Sequence, residues 1–415
     1  MNSYSKKQFS YLIVTIAYWT FMLSDGTLRM LVLLHFHQNG FSPLQLAYLF
    51  LFYELAGIFT NLSAGWLATK FGLRLTLHLG LSIQVVSIFF LSLINESWSQ
   101  SLSIFYVLII QGLSGVAKDL TKMSSKSAVK LLAPSGEINL FKWVTVLTGS
   151  KNIVKGLGFL VGCVLLATLG FKNSLLLIAC ILFFILIFSI ILLRDNFSKI
   201  NKKVKMFDVF SKDRNINLLS IARVFLFGAR DIWFVVGLPI FLYSIFSDGS
   251  VESNKKAFFI IGLFMSAWII LYGLVQANSN KFFFNKYFKK SNLVKDSKKW
   301  IFYLLINLFF LTLFLFIFKN IDLVKILVFT GLLIYCFIFA INSSLHSYLI
   351  LRFSQKKRVS LDVGFYYMAN SAGRLIGTLL SGLCYQAGGL ILSLATATLM
   401  IVLCLFFTFL IGETN

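Results

Sequence analysis

Proline and acidic residues are scarce in this 415-residue sequence: three prolines, and fifteen Asp plus Glu against 38 Lys plus Arg, for a formal net charge of +23. Cysteine is sparse too. Cys163, Cys180, Cys336, Cys384 and Cys404 lie far apart inside apolar stretches, so neither a disulfide framework nor a Cys-rich metal site is suggested. A P-loop, an HExxH and a GxSxG are all missing, which leaves ATP-driven pumping and hydrolase chemistry without support; the sequence implies no enzyme, no cofactor and no bound metal. No groove-reading motif accompanies the positive charge, which argues against nucleic acid as a partner. The N-terminus lacks a small-residue cleavage site, and its apolar stretch runs on past Leu34. It reads as a retained first span, not a signal peptide.

What is present is apolar. Hydrophobic residues make up 58% and aromatics 16%, with 46 Phe and a mean hydropathy of +0.85, a balance foreign to soluble globular chains. Long Leu/Ile/Phe runs with so little proline point to spanning helices, not a barrel. The expectation is an all-α integral membrane protein with about twelve spans. They begin near Phe9, Pro43, Arg74, Ser101, Asn139 and Lys172, then near Asn215, Ala257, Trp300, Leu323, Ser360 and Gly388. Ser42, Pro43 and Gln45 give the second span an N-cap, a first-turn proline and a capping-box partner. Two six-helix bundles, 1–193 and 215–415, are expected on either side of a basic linker, 194–214. Further cations crowd the connections after spans eight (Lys281, Lys286, Lys289, Lys290, Lys295, Lys298, Lys299) and ten (Lys356, Lys357, Arg358). The alternate connections carry few. The positive-inside rule then puts both termini and the linker in the cytoplasm.

Spans three, six, nine and twelve are close to lipid-compatible. Ionisable residues gather instead in spans one, two, four, five, seven, ten and eleven. Between spans two and three, Gly65-Trp-Leu-Ala-Thr-Lys70-Phe-Gly72-Leu-Arg74 resembles the loop signature of the major facilitators, with Thr69 where an acid usually stands. A 6+6 chain with every third helix outermost has the major facilitator arrangement, in which pseudo-symmetric halves meet around a midplane site.

Lys118, Lys122, Lys126 and Lys130 recur every fourth residue, a cationic stripe on one helix face. Lys118 and Lys122 are candidates for an anionic guest, whereas Lys126, Lys130 and Lys142 fall near the cytoplasmic mouth, where snorkelling accounts for them equally well. On span one, Asp25 and Arg29 are four apart and can pair, either locking the helix or leaving Arg29 partly free while Asp25 tunes it. Lys151 and Lys155 share a face of span five beside Gly156, Gly158 and Gly162, a pattern suited to close helix packing. On span seven, Arg223 and Arg230 share a face, from which Asp231 is expected to point away. Arg374 follows Asn370 on span eleven, and an arginine facing lipid would cost several kcal/mol. The cations Arg29, Lys118, Lys122, Lys151, Lys155, Arg223, Arg230 and Arg374 thus suit a multiply charged anion, with guanidinium forks matched to phosphate-like oxygens. Asp25, Glu54, Asp119, Asp231 and His346 are candidates for coupling or tuning. His35 and His37 form an interfacial pair, without the company a metal needs.

Longer stretches, YWTFMLSDGTLRMLVLLHFH, GLSGVAKDLTKMSSKSAVKLL, FKWVTVLTGSKNIVKGLGF, ARVFLFGARDIWFVVGLP, HSYLIL and SLDVGFYYMANSAGRLIGTLLSG, resemble the ArsJ family of organoarsenical efflux permeases. The resemblance covers about half of the chain. It implies a bacterial inner-membrane exporter of 1-arseno-3-phosphoglycerate, conferring arsenate resistance together with a glyceraldehyde-3-phosphate dehydrogenase that makes this substrate. The scattered thiols argue against trivalent arsenic, which calls for clustered thiolates. Two other readings stay open: a facilitator-type antiporter for sugar phosphate, inorganic phosphate or another organic anion, and a transporter-like anion sensor.

Overall fold

The computed structural model describes residues 3–71, 73–132, 137–193, 211, 213–284, 293–318, 320–354 and 359–412. Gly72 of the loop signature, the linker residues 194–210 and 212, and the basic stretches 285–292 and 355–358 lie outside the described residues, as do the side chains of the rest of the signature from Gly65 to Leu73, of residues 281–284, and of Lys126, Lys130 and Lys142.

Every described element is an α-helix: α1 (Ser3–Gln38), α2 (Pro43–Phe71), α3 (Leu73–Leu91), α4 (Gln100–Leu132), α5 (Glu137–Leu192), α6 (Arg214–Phe234), α7 (Gly237–Phe246), α8 (Val251–Phe284), α9 (Leu293–Ile317), α10 (Ile321–Phe353) and α11 (Val359–Phe409). About 20 residues cross a bilayer, and α5 and α11 are each long enough to cross twice. Each turns at a glycine: Gly170 in α5 with φ 73°, and Gly389 in α11 with φ 63°. Only glycine takes such a backbone without strain. α6 and α7 together make one span, interrupted at Val235 and Val236. Twelve spans result, in the major facilitator fold. Most starts fall within a few residues of those expected; α1, α8 and α9 begin about two turns early because each carries a polar first stretch, such as VESNKK, ahead of its apolar run.

Local chemistry explains several starts. Ser42 and Gln45 make the reciprocal cap at α2: the Ser42 amide donates to Gln45 Oε1 at 2.8 Å, and the Gln45 amide to Ser42 Oγ at 3.3 Å. Asp213 caps α6 and Asn320 caps α10, each accepting two backbone amides.

α3 packs chiefly on α4 and α5, and α9 on α10 and α11. The other spans meet in the middle: α1 against α5, α6 against α11, and, joining the two sides, α2 against α11 and α5 against α8. The glycine pattern of α5 does the packing expected of it. A Cβ on Gly158 would collide with the Leu23 carbonyl, and one on Gly162 would lie 2.6 Å from that of Thr27. Thr27 Oγ1 uses the closeness to donate to the Gly158 carbonyl at 3.0 Å. Near the end remote from the termini, His37 of α1 lies edge-on to Tyr243 of α7, with ring centres 4.9 Å apart, and the Leu44 amide donates to Gln386. These contacts join the two sides of the bundle at that end.

Candidate functional site

Burying a charge is tolerated only where partners or water receive it, so the ionisable residues of the inner helices must converge. They line one cavity of about 200 Å³, to which α1, α4, α5, α6 and α11 all contribute cations. All eight candidate cations line it: Arg29, Lys118, Lys122, Lys151, Lys155, Arg223, Arg230 and Arg374. Of the five candidates for coupling or tuning, Asp119 and Asp231 line it, while Asp25 and Glu54 stand behind it, holding its cations. His346 is fully buried in α10, off the cavity, and neither ring nitrogen has a hydrogen-bond partner among the described residues.

The carboxylates are shared out in a pattern that spacing did not foretell. Asp25 does not pair with Arg29, although i,i+4 spacing allows it. Asp25 binds the Lys155 ammonium of α5 and accepts from the Tyr53 hydroxyl of α2. Arg29 reaches Glu54 of α2 at 2.9 Å. The same oxygen, Glu54 Oε1, also accepts from Arg374 of α11 at 2.6 Å, and Arg374 bonds Asp231 at 3.1 Å. Asp231 does not point away from its neighbour, as a 100° step between consecutive residues suggested. The long Arg230 side chain curls back, and its guanidinium meets Asp231 at 2.5 Å. Five charged side chains thus form one run, Arg29, Glu54, Arg374, Asp231 and Arg230, across four helices. Lower on α4, Asp119 holds Lys122 at 3.2 Å and accepts from Thr60 at 2.6 Å, and Asn61 links Lys122 to Ser371 of α11.

Two cavity cations, Lys118 and Arg223, form no ion pair with a described residue. Lys118 Nζ sits 4.0 Å over the Tyr53 ring. Arg223 donates to Asn370 at 2.9 Å and to the Ser343 carbonyl and hydroxyl at 3.3 Å, with its guanidinium 3.8 Å from the Phe227 ring centre. Such aromatic faces steady a cation without neutralising it. Lys151 aside, seven cavity cations meet four carboxylates among the described residues, Asp25, Glu54, Asp119 and Asp231, leaving a surplus of three positive charges around a small, mostly buried space.

Sequence reasoning missed Tyr53, Asn61, Phe227 and Ser343. A tyrosine or phenylalanine beside a charge carries no signal in a chain with 46 Phe and 15 Tyr, and a serine in an apolar helix more often bonds its own backbone.

Membrane-crossing helices that bring charged residues from both ends of the sequence to one central cavity define a membrane transporter. The chain belongs to the major facilitator superfamily, whose family model matches residues 14–350. Solved structures with the same fold include the nucleoside transporter NupG, at TM-score 0.73 and 15% identity, with 97% of this chain and 100% of that one covered. A POT family transporter in complex with a thioalcohol-conjugated peptide aligns at TM-score 0.74 and 15% identity, covering 98% and 97%. A bacterial homologue of the iron transporter ferroportin, in its outward-facing state, aligns at TM-score 0.64 and 13% identity, covering 96% and 98%. At these identities the likeness is one of fold. A comparison with curated protein sequences found no match.

Proposed function

We propose that this transporter exports a multiply charged, phosphate-like organic anion, with 1-arseno-3-phosphoglycerate as the substrate. The observation that carries the reading is the cavity's surplus of positive charge, three charges with Lys151 left aside. A neutral or cationic guest would leave that surplus uncompensated in a low-dielectric setting. A molecule with phosphate at one end and an acyl arsenate at the other would neutralise it. The substrate's identity rests on the resemblance to the organoarsenical permeases; the cavity's charge supports its class. Lys118, Lys122, Lys151 and Lys155 face the anion from one bundle (1–193), and Arg223, Arg230 and Arg374 from the other (215–415). Arg29 and Arg374 share Glu54, so they act as one joint patch, not as opposite ends. The bundles rock about this site, in a bacterial inner membrane with both termini cytoplasmic, and glyceraldehyde-3-phosphate dehydrogenase supplies the substrate.

The test is export from arsenate-sensitive cells expressing the dehydrogenase. Adding this chain should raise resistance and the release of labelled arsenate, and Arg230→Gln should cut that release at least tenfold at equal membrane abundance. Resistance unchanged by the chain would refute the arsenical substrate.

A further inference from the structure

The run of charges from Arg29 to Arg230 contains one acid whose role goes beyond neutralisation. Glu54 is fully buried on α2. Its Oε1 alone receives the guanidinium of Arg29 on α1 and that of Arg374 on α11, while Oε2 has no hydrogen-bond partner among the described residues. Both arginines line the cavity, but Glu54 does not. It therefore approaches from behind two guanidinium groups whose other edges face the guest. Without the Glu54 charge, two cations on helices from the two ends of the chain would confront each other, and the positive surplus around the cavity would rise by one.

We propose that Glu54 is a tethered counter-anion that stands in for the substrate when the cavity is empty. Its carboxylate neutralises Arg29 and Arg374 so that the unloaded bundles can close on each other and the carrier returns without a guest. When a phosphate-like anion arrives, the guanidinium groups turn part of their hydrogen bonding to it, and Glu54 releases them in proportion. A ligand shifts a conformational equilibrium only by its differential affinity for the two states, and Glu54 lowers that differential by making the empty closed state accessible. The carrier is in consequence a net exporter, not an obligate exchanger. The inference rests on the phosphate-anion reading above for the identity of the guest, but not for the behaviour of the empty carrier.

Two measurements test it. In proteoliposomes holding labelled 3-phosphoglycerate as a stable probe, efflux is followed into buffer with and without external 3-phosphoglycerate. The wild type should release the probe in both. Glu54→Gln should bind the probe more tightly, since no carboxylate competes, and its ratio of net efflux to exchange should fall at least tenfold; Glu54→Asp, which keeps the charge, should restore the ratio. A wild type that releases the probe only against external anion, or a Glu54→Gln ratio equal to that of the wild type, would overturn the proposal. The second measurement needs no substrate. Fluorophores on Glu96→Cys and Glu252→Cys, both exposed at the end remote from the termini, report opening in single ligand-free molecules whose native cysteines have been replaced. Spontaneous switching should occur in the otherwise native chain and slow at least tenfold with Glu54→Gln. Switching that is absent in the former, or unchanged by the substitution, would overturn the proposal. Vesicles that move no 3-phosphoglycerate in either mode would count against the phosphate-anion reading, and the switching rates would still decide the role of Glu54.

Discussion

The Asp25–Lys155 pair offers a sharp test of how charge is held inside this bundle. Asp25 is 3% exposed on α1, whereas the Lys155 side chain keeps 17% exposure toward the cavity. Asp25→Asn preserves shape and can still accept from Tyr53, so it removes the charge alone. It leaves the Lys155 ammonium beside the positive fields of Arg29 and Arg374. Removing one member of a buried pair costs about 3–5 kcal/mol. The cavity-side exposure of Lys155 argues for the lower end, about 3 kcal/mol. In a protein of this size that corresponds to a fall in melting temperature of about 3 °C, at roughly 1 °C per kcal/mol. Thermal unfolding in detergent, followed by tryptophan fluorescence, reads it. Lys155→Met on the Asp25→Asn background should recover at least half of the loss, because the stranded charge is gone. The exposed pair Lys325–Asp322, 3.1 Å apart with Asp322 at 79% exposure, is the internal reference. Asp322→Asn should cost no more than about 1 kcal/mol. Equal melting temperatures for Asp25→Asn and Asp322→Asn, or no recovery in the double variant, would refute the reasoning.

Two other predictions concern packing and capping. Gly158→Leu drives a side chain into the Leu23 carbonyl and should force α1 from α5, lowering the melting temperature by about 1–3 °C for the 1–3 kcal/mol that overpacking costs; an unchanged melting temperature would show that the contact yields. Ser42→Ala removes an acceptor at the start of α2 and should cost about 1 kcal/mol, measured the same way, with Ser42→Asp restoring it.

The spans were legible because hydropathy writes them directly, and the glycine turns that fuse five to six and eleven to twelve changed the helix count without moving the span starts. The cavity's membership was legible for one reason: in a chain this apolar, an arginine or lysine within a span has nowhere else to go. Pairing was not. Arg29 had an acid four residues away on its own helix and ignored it for Glu54, because the tertiary fold brought a carboxylate that Arg374 could share. Asp231 was expected to avoid Arg230, but backbone angle does not limit a side chain as long as that of arginine. His346, a candidate for coupling or tuning because it lies mid-span in the symmetry mate of the span with the lysine stripe, sits off the cavity, and its sequence neighbour Ser347 lines the cavity instead.

The two glycine turns have a consequence for biogenesis. A lysine at the centre of a nascent span costs about 2.5–3.5 kcal/mol to insert, against a gain of about 0.3–0.6 kcal/mol for each large aliphatic or phenylalanine residue. Span five carries Lys151 and Lys155, and span eleven carries Arg374. Gly170 and Gly389 join each of these directly to span six or twelve, which has no charge in its interior. With no polar loop to translocate between them, each pair can leave the translocon as a helical hairpin. The charge-bearing member of each pair is then carried into the bilayer by its apolar partner.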